Sequence, residues 1–179
     1  MEKSSAPPLS TDLLSQVTIR QLQESDLPGL EWDGEYAHFR RVYADAYRRM
    51  QQGLAVHWVA DLRQVGIIGQ VFVQLSCDRP ELADGFERAY FYSFRIRQAF
   101  RGRGIGSLML KIIEDDLRER GITYLTLNVA KDNLDAQRLY RRLGYTIVAH
   151  EPGIWSYPDQ YGVWHQMEEP AWRMEKKLK

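Results

Sequence analysis

Cysteine is almost absent. Cys77 is the one cysteine among 179 residues, which excludes an internal disulfide framework and fits a reducing compartment. It stands in no metal-ligand spacing, so no metal is expected. Long apolar runs are missing as well. The most apolar stretch, 53–68, is broken by His57, Asp61 and Arg63, and a membrane-spanning helix needs roughly 20 apolar residues. Neither charge sign is in excess: Lys+Arg and Asp+Glu each number 24, so net charge gives no reason to expect a nucleic-acid partner. The first residues, with Ser4, Ser5, Pro7 and Pro8 after Glu2 and Lys3, lack the apolar core of a secretory signal, and the cytoplasm is the expected compartment.

The composition, 44% hydrophobic and 27% charged, belongs to a globular chain with one core, and the length leaves no room for two ordinary domains. Residues 1–16 read as a flexible Ser- and Pro-rich leader before a single domain over residues 17–179. Within it, 17–21 alternates like a strand, Ser25 and Asp26 form a candidate helix cap ahead of Pro28, and Phe39, Val42, Tyr43, Ala46, Tyr47 and Met50 fall at helical spacing. Residues 55–62 and 66–75 read as a hairpin, and the aromatic run 89–96 as a buried strand. Ile105, Leu108, Met109, Ile112 and Ile113 form the apolar stripe of the longest helix. A strand over 124–129, a helix over 134–143 and strands at 145–150 and 172–178 follow, the last two separated by a long, functional or mobile loop. Helices alternating with strands in the middle and hairpins at the ends imply a mixed α/β sheet with helices packed on it.

Arg101-Gly102-Arg103-Gly104-Ile105-Gly106 lies between a predicted strand and the longest helix. Glycines there let successive backbone N–H groups converge on an anion at the positive end of a helix. From Arg88 to Ile113 the charged residues are all basic, with no Asp or Glu before Glu114, so the local field favours an anion despite the neutral total. Two commoner phosphate fingerprints fail. Reading a dinucleotide pattern from Gly102 or Gly104 puts Ser107 or Met109 at its third glycine, and no Gly-Lys-Ser/Thr follows for a P-loop. A plain tight turn is the structural alternative.

Arg101, Gly104 and Gly106 match the Arg/Gln-x-x-Gly-x-Gly/Ala signature of the GNAT acetyltransferases, and Asn133, Ala136, Leu139, Tyr140, Gly144 and Tyr145 resemble the family's Asn-x-x-Ala-x-x-Leu-Tyr…Gly-Phe segment. The resemblance implies a mostly antiparallel twisted sheet of about seven strands, splayed between the fourth and fifth, with about four helices. It also implies acetyl-CoA as co-substrate, its pyrophosphate on Arg101, Gly102, Arg103, Gly104, Ile105, Gly106 and Ser107 and its pantetheine arm beside Phe94, Arg95 and Ile96, with Asn133 as a further contact or a mere helix cap. The reacting carbonyl would lie between 93–96 and 127–129, polarised by exposed backbone N–H groups. Tyr140 takes the family's general-acid position, or else only packs. Glu87 is the carboxylate nearest the family's base position, with Glu31, Glu35, His57, Asp159 and His165 as alternatives.

The resemblance further implies an amine acceptor, on a small molecule, peptide or protein, reached between the first helices and the long loop. Glu31, Trp32 and Glu35 stand on one side, Trp155 and Tyr157 on the other. Aromatic rings and carboxylates together suit a cationic amine; the same rings also serve to pack the loop or to form a homodimer surface. Two competing readings are a silent acyl-CoA-binding module and a transferase using another acyl-CoA.

Overall fold

A computed structural model of the chain describes residues 11–178. In chain order the elements are helix α1 (Thr11–Gln16), strand β1 (Val17–Gln21), a 3-10 helix (Glu24–Glu31), helix α2 (Arg40–Gln51), strands β2 (Ala55–Leu62), β3 (Gly66–Gln74) and β4 (Arg88–Ile96), helix α3 (Ile105–Glu119), strand β5 (Tyr124–Ala130), helix α4 (Leu134–Arg142), and strands β6 (Thr146–Glu151), β7 (Ile154–Pro158), β8 (Trp164–Glu168) and β9 (Ala171–Lys177). Seven strands form one sheet in the order β1-β2-β3-β4-β5-β9-β6. Every pair is antiparallel except β4 with β5. The exception follows from the crossover through α3, since parallel neighbours need a connection long enough to return to the same end of the sheet.

Helices cover both faces, so the central strands are buried along almost their whole length. On one face α3 inserts Ile105, Met109, Leu110, Ile113 and Leu117 against Val56, Ala60, Val71, Phe91 and Leu125. Burying each such side chain contributes about 1.5–3 kcal/mol. On the other face α2 lays Tyr43 and Ala46 over Val59 and Phe72, joined by Leu30 of the 3-10 helix.

Three expectations need correction. Residues 11–16 are not a flexible leader: they form α1, and Leu13 and Leu14 pack against the larger core, because two adjacent leucines lose less by ordering than by staying in water. Residues 1–10 lie outside the described residues. The helix expected to start at Ser25 or Asp26 is a 3-10 turn capped at Gln23, where the Asp26 carboxylate accepts from the Gln23 N–H at 2.8 Å and from Arg20 at 2.7 and 2.8 Å. The long loop before the last strand contains the hairpin of β7 and β8, a separate two-stranded sheet with Tyr157 opposite His165.

Candidate active site

The glycine turn enters α3 through two left-handed residues, Gly102 at φ 72° and Gly104 at φ 86°. No side chain caps the helix. Among the described residues, the backbone N–H groups from Gly102 to Ser107 have no acceptor, and 101–104 are exposed. A helix start whose donors are unpaired and solvent-facing is able to receive an anion. Ile105 turns its side chain into the core and offers only its N–H. A Cβ on Gly106 would stand 3.1 Å from Cζ of Phe94, so the absent side chain keeps the helix close to β4. The Arg101 Nε donates to the Ile96 carbonyl at 2.8 Å, fixing the turn to the end of that strand, while Arg103 stays exposed. The arrangement fits a pyrophosphate: converging N–H groups, a positive helix end and two flanking guanidiniums.

Strands β4 and β5 are paired only from Arg88 with Tyr124 to Phe91 with Leu127. Beyond that they part, and the backbone of Ser93–Ile96 and of Asn128–Ala130 loses its partner across the gap. This is the expected splay. A bulge accompanies it: Tyr92 faces Phe72 and Arg95 faces Gln70 on β3, three steps against two, with Ser93 at φ 50°. The bulge reverses the alternation of side chains. Phe91, Phe94 and Ile96 join the core on the α3 face, whereas Tyr90, Tyr92 and Arg95 open onto the opposite one. The Arg95 side chain therefore points away from the glycine turn, contrary to its expected place among cofactor contacts; only its backbone borders the gap.

Tyr140 of α4 lies on the α3 face with Phe91 and Tyr145, at ring distances of 5.7 and 6.0 Å. It is buried, and its hydroxyl meets no hydrogen-bond partner among the described residues. Burial alone drives its pKa well above that of an ordinary phenol. Asn133 caps α4, its Oδ1 accepting from the Ala136 N–H at 3.2 Å, so its oxygen is committed to the helix. Gln137, also buried, donates to the carbonyls of Ala130 and Lys131 at 3.0 Å each and holds the turn between β5 and α4.

On the opposite face the splay opens into a cleft of about 560 Å³. Its walls come from β4, β5, α2 and the β7 hairpin arm, with Trp155 and Tyr157 among them as expected. Phe39 ties the walls together, 4.9 Å from Tyr157 and 6.2 Å from Trp155. Burial raises Tyr90 and Tyr92 to about 12, so both remain neutral phenols. Oδ1 of Asn128, at the gap, is buried and has no hydrogen-bond partner among the described residues.

Other expected residues are not brought together. Glu87 is exposed, precedes β4 and lies four residues before Phe91, the last paired position; at the rise of a strand that is about 13 Å short of the gap. Glu31 is held bidentately by Arg40 at 2.8 and 2.9 Å, Trp32 is buried outside the cleft, and Glu35 is exposed. His57 is fully buried, accepting from the Val73 N–H at Nδ1, which leaves Nε2–H to donate to the Ala46 carbonyl at 2.9 Å. Asp159 and His165 bond each other at 2.7 Å. Sequence reading missed Tyr90, Tyr92 and the ion-paired Arg79 and Glu151 as cleft residues; the signal available was the alternation of tyrosines along the aromatic run.

The model of the acetyltransferase (GNAT) family matches residues 18–145. Among curated relatives, the chain is 24% identical to the uncharacterized N-acetyltransferase YycN of Bacillus subtilis over 131 residues, covering 72% of this chain and 81% of that one. It is 38% identical over 61 residues to the uncharacterized N-acetyltransferase YdgE of the same organism, a match spanning 34% of this chain and 39% of that protein. The solved structure of YncA from Salmonella typhimurium, a putative acetyltransferase with its cofactor acetyl-CoA, superposes with a TM-score of 0.66 at 18% identity, over 92% of this chain and 95% of that one. The chain belongs to the acetyltransferase (GNAT) family of enzymes, whose co-substrate is acetyl-CoA.

Proposed function

We propose that the protein transfers an acetyl group from acetyl-CoA to an amine that enters from the cleft on the far side of the sheet, by direct attack without a covalent enzyme intermediate. The observation that carries this reading is the splay of β4 and β5, which joins the glycine-turn face to the cleft. The turn from Gly102 to Ser107 grips the pyrophosphate. Phe94 and Ile96 flank the arm that carries the thioester, which supplies an activated acyl carbonyl. Unpaired N–H groups at the gap stabilise charge as it grows on that carbonyl oxygen.

Tyr140 donates a hydrogen bond to the departing sulfur. Full proton transfer from a phenol near 10 to a thiolate whose acid is near 8.5 is uphill by about 2 kcal/mol, and the burial of Tyr140 raises that cost further. Its contribution is therefore hydrogen bonding to the leaving group rather than delivery of the proton. On the amine side, deprotonation at pH 7 costs about 4.6 kcal/mol for a lysine-like amine near 10.4 and about 1 kcal/mol for an α-amine near 7.8. Glu169 lines the cleft, is exposed and stands in no ion pair among the described residues, so it is the carboxylate placed to relay that proton to solvent.

The test is thiol release from acetyl-CoA against a panel of α-amines, lysyl peptides, polyamines and aminoglycosides. Acceptor-dependent release supports transfer. A protein stabilised by acetyl-CoA that releases no thiol with any amine would instead be a binding module.

A further inference from the structure

The cleft holds a cation that no carboxylate of the described residues answers. The Arg95 guanidinium lies 4.4 Å over the Tyr36 ring and 5.1 Å from that of Phe39, and its NH1 donates to the Tyr43 hydroxyl at 3.2 Å. The neighbouring cleft arginine, Arg79, is saturated by Glu81 and Glu151 at 2.9 and 2.8 Å; Arg95 makes no such pair. Stacking on two rings and one phenol fixes the plane of the guanidinium and leaves most of its five donors unused. A half-buried guanidinium fixed in this way is preorganised for bidentate contact with a planar anion.

Arg95 also faces the cleft from the strand segment that borders the gap, two residues past the bulge at Ser93. On the acetyl-transfer reading, on which this inference rests, the attacking amine must come to that same gap. The guanidinium thus lies one arginine side chain from the gap where the amine must react, and the remaining wall, with Phe39, Trp155 and Tyr157, is aromatic. We propose that Arg95 receives a carboxylate of the acceptor, and that the acceptor is an amino acid or a close analogue: free amine and carboxylate on one carbon, with an apolar side chain against the aromatic wall. Beside Arg95 itself the geometry disfavours a second cation of the acceptor. The Tyr36 and Phe39 rings, which would attract an ammonium, already carry Arg95, and Glu31 is taken by Arg40. The fixed positive charge also favours the neutral amine needed for attack.

The experiment compares apolar L-amino acids with their α-carboxamides as acceptors, in the wild type and in Arg95→Met and Arg95→Lys, by thiol release. The wild type is expected to favour the acid on the order of 10- to 100-fold in kcat/KM. In Arg95→Met that preference collapses toward one, and in Arg95→Lys it is partly kept. An unchanged thermal shift with acetyl-CoA shows that the variants are folded, since the glycine turn lies on the other face. Acids and amides used within twofold of each other by the wild type, or a preference that survives Arg95→Met, overturns the proposal while leaving acetyl transfer intact. If neither series is turned over, calorimetry with N-acetyl amino acids and their amides on the CoA-loaded protein decides. An Arg95-dependent preference for the acid upholds the carboxylate site and removes the transfer reading, whereas equal binding, or none, overturns the carboxylate site.

Discussion

Gln70, buried on β3, donates its Nε2 to the carbonyl of Ser93 at 3.3 Å, and Ser93 is the positive-φ residue of the β4 bulge. A buried amide thus braces the one backbone distortion that sets the parity of everything after it: without the bulge, Phe94 and Arg95 would exchange faces. Gln70→Ala should cost about 1–3 kcal/mol of stability for the bond and packing lost. It should also lower kcat/KM more than an equally destabilising substitution elsewhere in the core. Equal turnover in a folded Gln70→Ala protein would show that the bulge holds itself.

Substitution at the glycine turn should act on the co-substrate. Gly106→Val places branched carbons where Phe94 leaves 3.1 Å and over the N–H groups that face the anion. Acetyl-CoA affinity is expected to fall on the order of 100-fold, measured by calorimetry on a protein whose circular dichroism is unchanged.

Tyr140→Phe should reduce kcat on the order of 10-fold or more while acetyl-CoA affinity stays within a few fold, because the hydroxyl bonds to nothing among the described residues and its loss leaves no partner stranded. Since burial holds the Tyr140 pKa far above the ordinary value, the wild-type rate should show no alkaline loss from a phenol titrating near 10. A wild-type alkaline limb that vanishes in Tyr140→Phe would mean that the phenol ionises in the working range.

His57 predicts an acid-side loss of stability. Burial lowers its pKa from 6.5 to about 4. Between those values the unfolded chain binds a proton that the folded chain does not. The stability associated with the neutral ring is therefore complete above pH 6.5 and falls as pH drops toward 4, by on the order of 3 kcal/mol in total. Urea midpoints measured across that window should decline more steeply in the wild type than in His57→Gln, whose amide can both accept from Val73 and donate to Ala46.

The family's two motifs were legible because they are local: the turn from Arg101 to Gly106 and the segment 133–145 around α4 carry their geometry in consecutive residues. The mixed sheet followed from the alternation of helices and strands in the middle of the chain, and the splay from the resemblance. What stayed hidden depends on contacts far apart in sequence. Period-2 alternation groups Arg95 with Phe91, and only the bulge braced by Gln70 from another strand places it with Tyr92 instead. Glu31 reads as an open carboxylate until Arg40 folds against it. Thr11–Gln16 looks like part of a leader until Leu13 and Leu14 find the core, and the β7–β8 hairpin turns through the five residues 159–163, with Gly162 at φ 82°, rather than through the two-residue Asn-Gly type of turn that marks a hairpin most plainly in sequence.

The most direct test of acetyl transfer through the splayed strands is mass analysis of the acceptor together with thiol release, using purified protein, acetyl-CoA and the amine panel. The account predicts thiol released in step with an N-acetylated amine, lost in Gly106→Val and slowed in Tyr140→Phe. Acetyl-CoA that is neither consumed nor able to raise the Tm would contradict it.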